Sequence, residues 1–92
     1  MKVKLSKEFI AHYKAAGVRI RHEVDRKLRI FAKNPMDLEL GNHTLRDEFI
    51  GSRSIDITSD WRAIYEEIND EYNEQFAYFT TLGTHTQLYK KK

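Results

Sequence analysis

The main change in the hydrophobic pattern of this chain lies near Pro35, which is its only proline. Before Pro35, apolar residues recur at the spacing of amphipathic helices, and from residue 51 onward apolar and polar residues alternate as in strands. Helices followed by strands that short turns connect indicate an α+β fold, with the helices packed on one face of a small, mainly antiparallel sheet. At 92 residues, the chain is expected to form a single domain over residues 1–92.

The segment before Pro35 predicts one short strand and two helices. Lys2 to Leu5 alternates polar and apolar residues, as a strand does. Ser6 can cap a first helix that Gly17 ends, and a second helix is expected over residues 18–33. Their apolar faces are formed by Phe9, Ile10 and Tyr13 in the first helix, and by Ile20, Val24, Leu28 and Phe31 in the second. The Arg and Lys residues between these positions are expected to face water.

The segment after Pro35 predicts three strands. A helical turn at 36–40 and a loop at 41–43 precede strands over 51–58, 61–68 and 75–82, and an acidic turn occupies 69–74. Gly83 is expected to end the last strand. Alternation places Asp56 on the face opposite Ile55, and it places Arg62 and Ile64 on the face opposite Ala63. With helices on one face, the other face of the sheet is predicted to be free for a binding groove.

Composition excludes several kinds of site. The chain has no cysteine, so a disulfide, a thiolate nucleophile and a zinc–cysteine site are impossible. No apolar run approaches the roughly 20 residues needed to span a membrane. Because the first residues lack an apolar segment, no secretory signal is expected. The four histidines are not spaced as metal ligands, and no metal site is predicted.

Charge is distributed unevenly along the chain. Residues 1–33 carry ten Lys and Arg against three acids, whereas residues 34–92 carry six against eleven. A basic half of this kind predicts an anionic partner, such as RNA, DNA or an acidic protein segment. The alternative is that the basic residues form the solvated face of a helix.

A few polar residues near the predicted strand ends are candidates for chemistry. His85 follows a Gly-Thr pair, and His43 lies in the loop before the sheet; a histidine can donate or accept a proton near neutral pH. Arg62, within a strand, could hold a phosphate through paired hydrogen bonds, or it could pair with a carboxylate across strands. Asp60 occupies a turn, where aspartate also serves the backbone alone. Trp61 is most simply a packing residue.

The order of short motifs resembles the YafQ-type branch of the RelE/ParE toxin superfamily. Two of these motifs, Asn34-Pro35 and His43-Thr44-Leu45, lie upstream. The others are Gly51-x-Arg53-Ser54-Ile55, Asp60-Trp61-Arg62-x-Ile64-Tyr65 and Leu82-Gly83-Thr84-His85-x-x-Leu88-Tyr89. The resemblance covers essentially the whole chain.

The resemblance implies a type II toxin that cleaves mRNA on the translating ribosome without a metal or other cofactor. In this reaction the 2′-OH of the RNA attacks the adjacent phosphate and leaves a 2′,3′-cyclic phosphate or its 3′-phosphate product. Such a reaction needs a base for the 2′-OH, an acid for the 5′-oxygen, and cationic donors for the transition state.

The resemblance also implies roles for individual residues. His85 is expected to be the acid, His43 or Asp60 the base, and Arg62 the group that stabilises the phosphorane. Tyr89 is expected to stack on a base or orient the phosphate. Supporting or substrate-binding positions are Arg53, Asp56 and Trp61. The chain departs from the branch at Asp56, where the pattern has a further histidine; an aspartate there could still act as a base if its surroundings raised its pKa.

The implied partners are a cognate antitoxin, mRNA and the ribosome, in the cytoplasm of a bacterium or archaeon. The protein is expected to reach DNA only through the antitoxin complex. The antitoxin or ribosomal RNA is expected to meet helix arginines, namely Arg19, Arg21, Arg26 and Arg29. The lysines at 90–92 form a tail that could contact RNA phosphates or could simply be solvated, and the sequence favours neither. Two other functions remain open: a ParE-like DNA gyrase inhibitor, and a non-catalytic binding module with the same fold.

Overall fold

The computed structural model describes residues 1–89, and it has the predicted α+β architecture. A five-stranded sheet has the strand order β1-β5-β4-β3-β2. The strands are β1 (Lys2–Leu5), β2 (His43–Thr44), β3 (Arg53–Asp56), β4 (Trp61–Asn69) and β5 (Gln75–Thr84). The helices are α1 (Lys7–Ala15), α2 (Val18–Lys33) and α3 (His85–Leu88), and single 3₁₀ turns occupy Leu38–Leu40 and Asp47–Phe49. Because β1 and β5 are parallel and the other pairs antiparallel, the sheet is mainly antiparallel, as predicted.

Local signals explain where the first two helices begin and end. The Ser6 hydroxyl accepts a hydrogen bond from the Phe9 amide at 3.0 Å and donates one to the Thr80 carbonyl at 2.7 Å. The cap therefore both starts α1 and ties it to β5. Helix α2 begins after Gly17 and ends at Lys33, and its C-cap Asn34 is extended immediately before Pro35. Proline disfavours the helical conformation of the residue before it, which fixes this end.

The core lies between these two helices and one face of the sheet. Phe79 of β5 is its centre, because its ring lies 5.7 Å from Phe9 of α1, 5.1 Å from Phe31 of α2 and 5.0 Å from Tyr65 of β4. All four residues are buried. Aromatic pairs at this spacing contribute about 0.5–1.5 kcal/mol each beyond the burial of their area, so this cluster holds both helices on the sheet.

A β-bulge interrupts the alternation of β5. Ile64 pairs with Thr81 and Tyr65 pairs with Phe79, so Thr80 is the extra residue. The Thr80 hydroxyl donates to the Ile64 carbonyl at 3.3 Å. Because of the bulge, Phe79 and Leu82 both reach the core although they lie an odd number of residues apart.

Several predictions at the level of single elements are wrong. Gly83 does not end the last strand, which continues through it to Thr84. The loop expected at 41–43 ends in the short strand β2, and α3 was not predicted. Lys27 does not face water; it is 7% exposed and its ammonium donates to the Ile57 carbonyl at 2.9 Å.

The second face of the sheet is only partly free. Ile64 and Ser54 alternate with core residues and so lie on the face opposite the helices, yet both are fully buried. That face is therefore covered near its middle. It is open at the end of the sheet where β3 finishes and β4 starts, and again further along β4, where Glu66 is exposed. The tail at 90–92, for which contact with RNA and simple solvation are both open, lies outside the described residues.

Candidate active site

A groove of about 330 Å³ lies at this open end of the sheet. It is lined by His43, Leu45, Asp56, Arg62, His85 and Tyr89. Strand register explains why residues so distant in sequence meet: Asp56 is opposite Arg62, Arg62 is opposite Gly83, and His43 is opposite Ser54. Five of the eight residues singled out from the sequence line this groove.

Arg62 is the cation of the groove, and a cross-strand carboxylate holds it. Its Nε lies 3.0 Å from Oδ1 of Asp56. Its Nη1 donates to the carbonyls of Thr58 at 2.9 Å and Ser59 at 3.0 Å. Among residues 1–89, Nη2 has no hydrogen-bond partner, and so it is the part of the guanidinium that can donate to an anion in the groove.

Hydrogen bonding fixes the proton on His43. Its Nδ1 lies 2.9 Å from the Gly41 carbonyl, which can only accept, so Nδ1 carries a hydrogen. In the neutral ring Nε2 is then the unprotonated nitrogen, free to accept a proton. His43 is exposed, so a substrate can reach this nitrogen.

Helix α3 positions His85 and Tyr89. The Thr84 hydroxyl accepts from the Gln87 amide at 3.2 Å, and Gln87 Oε1 accepts from the Thr84 amide at 2.9 Å. This reciprocal capping box starts the helix directly after β5. The His85 amide also donates to the Asp60 carbonyl at 2.8 Å, which fixes the helix to the β3–β4 turn. The Thr84-x-x-Gln87 spacing was the sequence signal for α3.

The aromatic ring of Tyr89 lies against His85. Their ring centroids are 4.7 Å apart with the planes inclined at 53°, and the Tyr89 ring meets Phe49 nearly perpendicularly at 5.8 Å. Phe49 lies in the segment between β2 and β3 and was not singled out from the sequence. Together these contacts place an aromatic side chain beside the imidazole at the edge of the groove.

Three predicted site residues do not line the groove. Asp60 is exposed at the turn, where its carbonyl accepts from His85. Trp61 is half-buried against the core and lines a separate, more apolar cavity of about 680 Å³. Arg53 donates to Asn42 at 2.7 Å, and Asn42 in turn donates to the Tyr65 hydroxyl at 2.7 Å. This network supports the residue that precedes His43.

Burial and the Asn42 contact act on the pKa of Tyr65 in opposite directions. Burial raises the pKa of the Tyr65 hydroxyl, and the hydrogen bond from Asn42 and the charge of Arg53 offset part of that rise. The hydroxyl is therefore a neutral acceptor that holds Asn42 in place, and it plays a supporting part.

Gly41 allows Asp56 to lie where it does. A Cβ at position 41 would lie 2.5 Å from Asp56 Oδ2, and the Gly41 φ of +55° falls in the left-handed region. Both features favour glycine. Sequence reasoning missed Gly41 because the close approach depends on the pairing of distant segments.

Neither a metal-binding cluster nor a membrane-spanning helix occurs within residues 1–89. No group of three or more His, Cys, Asp or Glu side chains in that range is placed to hold a metal ion. No helix in the same part of the chain is long and apolar enough to cross a membrane.

Solved structures of bacterial toxins superpose on nearly the whole chain. YafQ from E. coli is 21% identical, with a TM-score of 0.74 over 96% of this chain and 97% of that one. The YoeB/ParE toxin from Agrobacterium tumefaciens is 18% identical, with a TM-score of 0.72 over 92% and 99%. A chain in the structure of the E. coli DinJ-YafQ toxin–antitoxin complex is 19% identical, with a TM-score of 0.62 over 96% of each of the two compared chains. No protein-family model and no curated protein sequence matches the chain.

These superpositions show that the chain has the fold of the RelE/ParE toxins. Within that fold, YafQ structures are among its neighbours, which agrees with the branch that the sequence motifs resemble. The RelE-like fold predicted from the resemblance is thus confirmed. The identities are below a quarter of the residues, so the superpositions establish the fold and leave the activity to be argued from the groove.

Proposed function

We propose that the protein is the toxin of a type II toxin–antitoxin system and an endoribonuclease that cleaves mRNA on the translating ribosome. The observation that carries this proposal is the presence of two histidines and a partly free arginine guanidinium in one groove. Two imidazoles can supply the base and the acid that 2′-OH attack needs, and the guanidinium can supply the charge for the phosphate.

In the proposed reaction, Nε2 of His43 takes the proton of the 2′-OH. The 2′-oxygen then forms a bond to the adjacent phosphorus while the bond from phosphorus to the 5′-oxygen breaks. The protonated imidazole of His85 gives its proton to that leaving oxygen, and a 2′,3′-cyclic phosphate remains. Asp60 lies outside the groove, so we assign the base to His43.

Arg62 and Asp56 act together in this scheme. The Asp56 carboxylate and three backbone carbonyls, those of Thr58, Ser59 and Trp61, fix the guanidinium, so that Nη2 is held ready for a phosphate oxygen. A donor that is fixed in advance costs little reorganisation as charge develops in the transition state. We therefore assign Asp56 as a positioning residue, in place of the histidine that the YafQ-like pattern has there.

Tyr89 offers a surface for a nucleobase. Its ring packs on His85 and Phe49, and base stacking on an aromatic side chain tolerates any base. Stacking beside His85 would bring the leaving 5′-oxygen towards the acid.

The proposed partners follow from the same assignment. A cognate antitoxin is one proposed partner, and the toxin–antitoxin complex among the structures of this fold supports it. The toxin would act in the cytoplasm, where it meets mRNA on ribosomes, and would approach DNA only through the antitoxin. No cofactor takes part in the scheme.

The chemistry can be tested on the RNA products. Expression of the wild-type chain in growing cells is expected to stop growth and to produce new mRNA ends that carry 2′,3′-cyclic phosphates or 3′-phosphates. Mapping of those ends by primer extension and by end-specific ligation would show them. Intact mRNA together with cleaved chromosomal DNA in arrested cells would instead identify a gyrase inhibitor.

Gly41→Ala provides a test of the fixed Asp56 carboxylate. The left-handed backbone alone is expected to cost about 1–2 kcal/mol of stability, and the new Cβ would displace Asp56 and weaken the hold on Arg62. We expect a lower melting temperature and slower cleavage than in the wild type. Both can be measured by thermal unfolding and by the rate of mRNA cutting.

The control for this variant is Gly51→Ala. Gly51 also has a positive φ, +92°, but nothing lies within 4 Å of the position of its Cβ. It should therefore lose stability without losing the cleavage rate of the folded protein. Equal cleavage rates in the two folded variants would contradict the role of Asp56.

A further inference from the structure

A second groove lies beside the candidate active site. It has a volume of about 590 Å³ and runs between α2 and the turn that follows β3. Its lining is Arg19, His22, Glu23, Lys27, Asp56, Ile57, Thr58 and Ser59, and we name it the α2 groove. Asp56 lines both grooves, so the two meet at the end of β3.

The α2 groove contains two cations, Arg19 and Lys27, that have no ion-pair partner among residues 1–89, although with Glu23 and Asp56 the formal charges of its lining sum to zero. Glu23 lies 3.2 Å from Arg26, which also pairs with Glu39, and Asp56 lies 3.0 Å from Arg62. The hydrogen bond from Arg26 lowers the pKa of Glu23, and the charges of Lys27 and Arg19 act in the same direction.

Lys27 gives the groove a buried cation. The residue is 7% exposed, and its ammonium donates to the Ile57 carbonyl. An ammonium has more N–H donors than this one bond uses, and a buried charge is costly unless it is compensated. An anion seated in the groove would supply both the counter-charge and the missing acceptors.

We propose that the α2 groove binds a backbone phosphate of the RNA strand next to the phosphate that is cleaved. This inference rests on the proposed function. A strand whose reacting phosphate sits at Arg62 can continue past Asp56 into the α2 groove, where Arg19 and Lys27 meet the next phosphate. The hydroxyls of Thr58 and Ser59 lie on the same path and can donate to phosphate oxygens.

The lining favours RNA over an acidic protein segment. Ile57 is the one aliphatic residue of the α2 groove, whereas protein partners need an apolar centre to their contact. Apolar surface is found instead in the cavity of about 680 Å³, which includes Phe49, Trp61 and Leu88. Phosphate groups need cations and donors, which the α2 groove offers.

The test is the salt dependence of RNA binding. The probe is a short fluorescent RNA of mixed sequence with 2′-O-methyl groups at every position, which cannot be cleaved by 2′-OH attack. Dissociation constants would be measured by fluorescence anisotropy over a series of salt concentrations. The logarithm of the affinity falls as the logarithm of the salt concentration rises. For single-stranded RNA, removal of one cation that neutralises a phosphate reduces the magnitude of this negative slope by about 0.7.

Arg19→Gln and its control Arg29→Gln form a matched pair. Both arginines lie on exposed parts of α2, but Arg29 lines none of the described grooves. We expect Arg19→Gln to weaken binding about fivefold and to lower the slope by about 0.7. Arg29→Gln is expected to keep the wild-type slope.

Lys27→Met tests the buried cation while it keeps the packing of the side-chain stem. Thermal unfolding would first establish that this variant is folded. It is expected to lower the slope as Arg19→Gln does, and the double variant is expected to lower it by about 1.4 in total. If Lys27→Met does not fold, the comparison of Arg19→Gln with Arg29→Gln alone decides the outcome.

Three results would overturn the α2 groove as an RNA site. The first is equal slopes for Arg19→Gln and Arg29→Gln, and the second is no binding of the RNA by the wild-type chain. The third is that Arg19→Gln weakens the binding of a poly-glutamate peptide, used as an acidic probe, but leaves the binding of RNA unchanged. If only the proposal for the α2 groove is wrong, the wild-type chain still cleaves mRNA. If instead the proposed nuclease function is wrong, RNA binds with the expected slopes and mRNA is never cut.

Discussion

Replacement of His85 by Gln is expected to slow RNA cleavage by about 10²–10⁴-fold, the usual contribution of a general acid. Gln can hydrogen-bond in the groove, but it cannot deliver a proton to the leaving 5′-oxygen. The contact of His85 with Asp60 is made by its backbone amide, so the substitution leaves that contact in place. Rates should be measured with ribosomes that translate a defined mRNA.

The matched control is Thr86→Ala, at the neighbouring exposed position of α3. It should cleave at the wild-type rate, and His85→Gln should bind the uncleavable RNA as tightly as the wild type. A His85→Gln protein that retains full cleavage would remove the general acid from the proposed scheme. Growth arrest that persists while mRNA stays intact would point to the gyrase or binding-module alternatives.

The regular elements were predictable because their signals are local. The apolar stripe of α2 and its stop at Pro35 depend on residues within a few turns of one another, and the helix is found where it was predicted. The end of β5 was not predictable from Gly83 alone, since pairing with Arg62 carries the strand through that glycine. The bulge at Thr80 likewise depends on how two strands align.

Buried Lys27 shows a different limit. On helix α2, Lys27 lies among basic residues that are mostly exposed, so the sequence pattern predicts that it faces solvent. Only the nearby carbonyl of Ile57, which the pairing of β3 and β4 brings close, provides a reason for its burial. A hydrogen bond between residues so far apart in sequence leaves no trace in periodicity.

The candidate site was also predicted only in part from the sequence. The strand and helix-end positions His43, Arg62, His85 and Tyr89 meet in the groove because register and the capping box fix them. Trp61 precedes Arg62, and neighbouring residues of a strand point to opposite faces, so the two cannot both line it. For Asp60, the motif gave the position but could not give the direction of the side chain in the turn.

Replacement of Arg62 by Gln is expected to slow cleavage by about 10²–10³-fold, the loss measured when one donor to a developing oxyanion is removed. The loss has two physical sources. The phosphate loses the Nη2 donor, and the Asp56 carboxylate loses its partner at 3.0 Å and is left facing the phosphate as a like charge.

A double-mutant cycle separates these two sources. If Asp56 only positions Arg62, then Asp56→Asn added to Arg62→Gln removes the repulsion, and the double variant should cleave faster than Arg62→Gln alone. If Asp56 were the base, the second substitution would remove a proton acceptor and slow the reaction further. The sign of the coupling between the two positions, taken from cleavage rates at saturating ribosome concentration, therefore decides whether this aspartate holds the arginine or replaces the second histidine of the YafQ-like pattern.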